Sequence, residues 1–324
     1  MFLHPTQLLF VFGILMSILL TITVNSWFIT WVGMEVSLLS FIPLIFQKNN
    51  KYSVESALKY FLIQAVASSI IIFSISLDSY KAMFFILLSL LLKTGSAPFH
   101  QWVPSVIQGM SWVVSGLFLT VQKINPLVLI SFLSSFSFWG SLICVFVVSS
   151  ALVGSVGGLV QTSLRKILAF SSISHLSWML SAMLLANWSW LAYFFVYSLI
   201  LFSVIYLFYE SSLVSLNQIF VKMNPNFNFL ASITMLSLGG LPPFTGFIPK
   251  WLVLQYLVQS NFLLLCFVLL LGTFVSLFFY CRVFVLNLIY FTFKHNFAFG
   301  SKFYIFLILV VNLIGLLLFP WLFI

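Results

Sequence analysis

Cut at its glycines, prolines, asparagines and charges, this 324-residue chain falls into about eleven apolar runs, each near or above the ~20 residues a helix needs to cross a hydrocarbon core. The runs are about 8–24, 26–46, 55–77, 81–108, 112–134, 138–160, 165–186, 188–213, 227–258, 262–290 and 303–323. With 63% hydrophobic and 5% charged residues the chain has too little polar surface to coat a soluble globule, so it reads as an all-α polytopic membrane protein, one transmembrane domain over 1–324. The apolar run from Leu8 is long enough to be a span rather than a cleavable leader. Threaded through a bilayer, Lys48, Lys51, Arg165, Lys166, Lys222, Lys294 and Lys302 fall with the N-terminus, and Lys81 falls opposite. The positive-inside rule then puts the N-terminus on the side from which insertion occurs and the C-terminus on the other.

Two of the runs, about 81–108 and 227–258, are long and interrupted. The second contains GGLPPFTGFIPKW, in which Pro242, Pro243 and Pro249 remove backbone donors and unwind the segment, at a cost in lipid that calls for a reason. Residues 95–104, GSAPFHQWVP, and 240–249, GLPPFTGFIP, share the ungapped pattern G-x-x-P-F-x-x-x-x-P, carried by Gly95, Pro98 and Pro104 in the first copy and Gly240, Pro243 and Pro249 in the second. The copies lie an odd number of spans apart and so cross in opposite directions. An inverted repeat with broken helices near the midplane is the architecture of transporters that hold an ion or proton at the break.

Five ionisable side chains remain at membrane depth once loop and helix-end charges are set aside: Glu35, Lys93, Lys123, His175 and Lys250. A lysine at mid-bilayer costs about 2.5 to 3.5 kcal/mol on insertion scales, so three of them mark a function or a buried network rather than ordinary packing. Lys123, near the middle of what reads as an unbroken helix, is too far from either end to snorkel. Glu35 suits pairing with a lysine, because each charge stabilises the other's ionised form. At ~7 Å and an effective dielectric of 20 one charge biases another by ~2.4 kcal/mol, enough to move a proton. His175, in SSISHLSW, has serines around it that favour water, and its imidazole suits either a proton relay or a structural hydrogen bond. The breaks offer free carbonyls and room for water beside Lys250, and beside Lys93 and His100.

Chemistry beyond proton movement is not apparent. Cys144, Cys266 and Cys281 are scattered without CxxC spacing, and there is no phosphate loop, paired haem histidine, metal cluster or nucleophile constellation. The expectation is a chain with no cofactor of its own, no bound metal and no nucleic-acid partner.

KTGSAPFHQWVPSV, with its P-F-H-x-W-V-P core, resembles the signature of the antiporter-like subunits of respiratory complex I and their cation/proton antiporter relatives. GSVGGLVQTSLRKILAFSSISHLSW, GGLPPFTGFIPKW and NSWFITWVGMEVSLLSFIP extend the likeness over nearly the whole chain, toward the shorter mitochondrially encoded members. The resemblance implies an antiporter-like fold and proton translocation coupled to electron transfer from NADH to ubiquinone in other subunits. It places the chain in the mitochondrial inner membrane, N-terminus toward the matrix, among membrane-arm partners (antiporter-like subunit 4, subunit 4L), accessory subunits and phospholipids. It also implies roles: Glu35 and Lys93 as the interacting pair, Lys123 as the central channel lysine and Lys250 as the lysine of the second broken helix. Sibling subunit 4 has a glutamate at that last position, and sibling subunit 5 is much longer.

Relative to bacterial members the chain lacks three N-terminal helices, and Ser105 stands where relatives commonly carry an acid after V-P. The rival readings are a free-standing cation/proton antiporter and a structural subunit whose buried charges only brace helices.

Overall fold

The computed structural model describes residues 5–46, 50–77, 79–134, 140–185, 188–218, 225–293 and 308–313. Among these the architecture is helical throughout, with one isolated antiparallel bridge, Ser163 to Ser215, joining two loops. Lys48, Lys222, Lys294 and Lys302, four of the seven basic residues behind the expected orientation, lie outside the described residues. The chain forms two compact units, Met1–Ser141 and Leu142–Ile324.

In the first unit α1 (Pro5–Thr23) packs on α2 (Trp27–Ile45), which packs on α3 (Lys51–Ile75). The long predicted segment at 81–108 is two helices, α4 (Ser79–Thr94) and α5 (Trp102–Gln108), both against α3. The segment at 112–134, read from sequence as an unbroken helix, is also interrupted: α6 (Trp112–Leu119) and α7 (Val121–Ser134) meet at Thr120. There Thr120 N–H bonds Gly116 O at 3.1 Å, its hydroxyl takes the same carbonyl at 2.8 Å, and Lys123 N–H turns to Thr120 O at 2.9 Å in a tighter three-residue step. The sequence held no proline or glycine at 120 to announce this break. Pro126, a turn and a half later, withholds the donor that Gln122 O would accept.

The second unit contains α8 (Gly140–Leu159), α9 (Leu164–Leu185), α10 (Ser189–Glu210), a one-turn 3₁₀ helix at Leu216–Gln218, α11 (Pro225–Gly239), α12 (Phe247–Gln259) and α13 (Leu263–Phe293). The predicted eleventh run is described only at 308–313, which is helical. The centre of the unit is α9, packed against α10, α12 and α13. Helices in lipid gain little from burying apolar surface against one another and associate through close packing instead. A Cβ on Gly154 of α8 would lie 2.6 Å from Ser174 N, so that glycine lets the α8 and α9 backbones touch.

Among the described residues eight helices, counting Trp112–Ser134 as one, are long and apolar enough to cross a membrane. Their outward faces are apolar: Leu263, Phe267, Phe274 and Phe278 recur along one side of α13 and are exposed, as expected of a lipid-facing stripe. Charges near helix ends are accounted for locally. Glu55 and Lys59 form an exposed i,i+4 ion pair at 2.5 Å, and Arg282 Nη2 donates to Leu159 O at 2.5 Å, capping the C-terminus of α8.

Candidate functional site

The two sequence repeats end their first helices alike, at a glycine. Gly95 and Gly240, the first residues of the shared pattern, both take left-handed backbone angles, φ +73° and +76°. Such a φ favours glycine and reverses the chain after a helix. Gly95 and Ser96 N–H bond back to Leu92 O and Leu91 O at 3.1 and 3.2 Å, and Gly240 N–H bonds to Ser237 O and Leu236 O at 3.0 and 3.2 Å. Each helix then restarts seven residues on, at Trp102 and at Phe247. Pro104 and Pro249 occupy the third position of the restarting helices, where the missing N–H would have had no intrahelical acceptor. They begin the new helices, so the unwinding belongs to Gly95 to Pro98 and Gly240 to Pro243. His100 turns its Nδ1 toward Pro98 O at 3.1 Å, within its own break.

The lysines flank these interruptions. Lys250, 7% exposed, lies one residue beyond Pro249, and its Nζ donates to Gly239 O at 2.6 Å. That carbonyl is the last of α11, at the negative end of the helix dipole and left without an intrahelical donor by the break. The interruption thus supplies the acceptor that makes a buried ammonium tolerable. Around it, Asn312 ties the unwound chain down: Ser237 Oγ donates to Asn312 Oδ1 at 2.5 Å, Thr245 N–H donates to Asn312 O at 3.2 Å, and Asn312 Nδ2 reaches Ile308 O at 2.8 Å. Sequence reasoning missed Asn312. Its one signal was an amide inside an apolar span.

Lys93 and Lys123 share a cavity of about 20 Å³ in the first unit, whose polar lining includes Ser37, Tyr60, Gln64 and Gln122. A cavity that size holds about one water. Lys123, 5% exposed, sits between the break at Thr120 and Pro126, and its neighbour Asn125 is held by α1, accepting from Thr21 Oγ1 at 3.1 Å. Glu35 is close enough for its charge to act on Lys93, but no ion pair between them lies within 4.0 Å among the described residues, and Glu35 Oε1 is buried without a hydrogen-bond partner. The pair expected from the sequence is an electrostatic neighbour relation rather than a contact. Ser105 Oγ donates to its own helix at Trp102 O, 2.8 Å away.

His175, 6% exposed, meets two tyrosines of α10. Its Nδ1 lies 2.8 Å from Tyr193 Oη, and its ring centroid lies 4.9 Å from that of Tyr197. Ser171, Ser172, Ser174 and Ser177 each donate to a carbonyl three residues back in α9, at 2.6–2.9 Å. Their protons are therefore spent on the helix. Tyr193 and Tyr197 stand i,i+4 on α10, a spacing visible in the sequence that was not read as part of the site.

Chemically, the arrangement holds cations and protonatable amines beside exposed carbonyls and a water-sized space. Among the described residues no group of three or more His, Cys, Asp or Glu side chains is placed to hold a metal.

The chain matches the family model described as NADH:quinone oxidoreductase/Mrp antiporter, TM, at residues 24–83 and 76–276. It is 45% identical over 297 residues to NADH-ubiquinone oxidoreductase chain 2 of Anopheles gambiae, covering 86% of each chain. Its fold is similar to that of a chain of respiratory complex I from Thermus thermophilus, solved with bound aureothin. The TM-score there is 0.81 at 22% identity, over 97% of this chain and 78% of that one. It is also similar to a chain of the Mrp complex from Dietzia sp., with a TM-score of 0.76 at 19% identity over 85% of this chain and 59% of that one.

Proposed function

The chain belongs to the NADH:quinone oxidoreductase/Mrp antiporter transmembrane family, and from that premise we propose that it is the proton-translocating chain 2 of NADH:ubiquinone oxidoreductase, respiratory complex I. The observation that carries the proposal is the pairing of inward-facing lysines with helix breaks: buried Lys250 on the carbonyl that the second break exposes, and half-buried Lys93 and buried Lys123 around a water-sized cavity beside the first. A protein that only needed rigid helices would have no use for either cost.

On this reading Glu35 biases Lys93 through space, and Lys93 and Lys123 exchange protons through the cavity. In the second unit Lys250 binds and releases a proton at the break, with His175 and its tyrosines as a buried polar neighbourhood. Oxidation of NADH and reduction of ubiquinone take place in other subunits, and this chain carries no redox cofactor. We place it in the mitochondrial inner membrane, N-terminus toward the matrix and C-terminus toward the intermembrane space, beside antiporter-like subunit 4, subunit 4L, accessory subunits and phospholipids.

The test has two parts. On a native gel the chain should migrate in a very large assembly that stains for NADH oxidation, whereas a free-standing antiporter runs alone. In vesicles reconstituted with that assembly, Lys123→Met should lower proton transfer per electron pair. An unchanged ratio would leave the buried charges only a bracing role.

A further inference from the structure

A helix to which the sequence reading assigned no site residue, α3, joins the two lysines of the first unit. Tyr60 and Gln64 stand i,i+4 on α3 and so share a face. Tyr60 Oη donates to Gln122 Oε1 at 3.3 Å, next to Lys123 in the chain. One turn on, Gln64 Nε2 reaches the Lys93 carbonyl at 3.5 Å. The Tyr60 ring is held in place by Phe41, Trp102 and Phe118, with centroids at 5.3, 6.3 and 6.0 Å.

In this arrangement Tyr60 Oη engages Gln122 Oε1. With Oε1 occupied, the amide presents Nε2 as a donor, and that atom is buried without a protein partner. Trp102 Nε1, on the helix that restarts after the first break, is a second buried donor without a partner. Both residues line the same cavity as Lys93 and Lys123. Either donor, beside a space that holds a water, orients that water through one lone pair and leaves its other lone pair and its two hydrogens for the lysines.

We infer that Tyr60 and Gln122 are positioning residues for the proton step between Lys93 and Lys123, an inference that rests on the proton-translocating reading. The step conserves atoms and charge. A water takes a proton from the ammonium of one lysine and gives one of its own to the neutral amine of the other, so the first ends as amine, the second as ammonium, and the water is regenerated. A water that accepts from Gln122 Nε2 keeps one lone pair for the incoming proton and a hydrogen directed at the receiving amine. Without the Tyr60 hydroxyl the amide is free to rotate, and Oε1 can compete for that hydrogen.

The experiment uses the whole complex reconstituted in vesicles, carrying Tyr60→Phe, Gln122→Leu, both, or Lys123→Met. Tyr60→Phe keeps the ring and its packing, so assembly on a native gel should match the unsubstituted protein. Proton-coupled NADH oxidation should slow roughly threefold to tenfold, the factor that one hydrogen bond supplies. The solvent deuterium isotope effect should rise as the proton step becomes limiting, a readout that mere loss of packing would not move. The double variant should be no slower than the slower single, because both changes remove one interaction. If Gln122→Leu does not assemble, Tyr60→Phe decides by rate and isotope effect; if Tyr60→Phe does not accumulate, Gln122→Met decides on the same readouts. Unchanged rate and isotope effect in Tyr60→Phe, with pumping lost in Lys123→Met, overturns this inference alone. Intact pumping in Lys123→Met overturns the reading beneath it.

Discussion

Replacing Gly240 with alanine should act on Lys250 without altering any ionisable group. Gly240 has φ +76°, and a Cβ there would lie 2.8 Å from both Cδ and Nζ of Lys250. The left-handed angle costs an alanine about 1 to 2 kcal/mol. Moving the ammonium off Gly239 O, now 2.6 Å away, forfeits a charged hydrogen bond of about 1.5 to 3 kcal/mol. Together these reach about 2.5 to 5 kcal/mol. Part of the penalty is escaped by displacing the lysine, the more flexible partner, and that displacement is the functional prediction. Gly240→Ala should resemble Lys250→Met, with assembled complex reduced but present and fewer protons moved per electron pair. Gly95→Ala is the comparison, because its Cβ would press on Val103 Cγ2, a stiff β-branched side chain on the restarting helix rather than a lysine. It should lower the amount of assembled complex, and because it displaces no lysine the coupling of what remains should fall less than in Gly240→Ala. The assay is the native-gel band stained for NADH oxidation, followed by proton uptake or release per electron pair in vesicles from that band. Normal coupling in Gly240→Ala at full assembly would refute the claim that the second break exists to seat Lys250.

Lys123→Arg should assemble yet fail to pump, because arginine fills the buried site with a cation that practically never releases its proton; normal proton stoichiometry in that variant would remove Lys123 from the path. Glu35→Gln should lower pumping less than Lys123→Met does, since Glu35 acts on Lys93 across space rather than in contact, and the ranking is read from the same vesicle assay. Asn312→Ala removes the acceptor of Ser237 Oγ and the donor to Ile308 O, both buried, at a cost of about 1 to 3 kcal/mol. It should lower the thermal stability of the complex, seen as loss of the native band after graded heating, with coupling affected only through the second break.

The helical architecture, the two long interrupted segments and the burial of Lys123, His175 and Lys250 were all legible in the chain. Length and hydropathy select membrane helices because the hydrocarbon core tolerates little else. Glycine and proline mark breaks because their backbone restrictions are intrinsic to the residue. The repeat G-x-x-P-F-x-x-x-x-P carried its geometry with it: equal φ at Gly95 and Gly240, and helices restarting in the same register at Trp102 and Phe247.

Thr120 was not legible. No glycine or proline stands at 120 itself, and the nearest breaker, Pro126, lies a turn and a half further on. Nor could the sequence say that the serines beside His175 turn back onto their own helix while a tyrosine from the next helix takes the imidazole. Backbone conformation near a glycine or proline is settled by residues a few positions apart, so sequence alone determined the helical class, the two repeat breaks and which charges fall inside apolar runs. The partners of those charges were decided by tertiary packing. Tyr60 meets Gln122 across 62 positions, Ser237 meets Asn312 across 75 and Thr21 meets Asn125 across 104. A buried polar atom takes whichever donor or acceptor the neighbouring helix presents, and that choice exists only once the helices have packed.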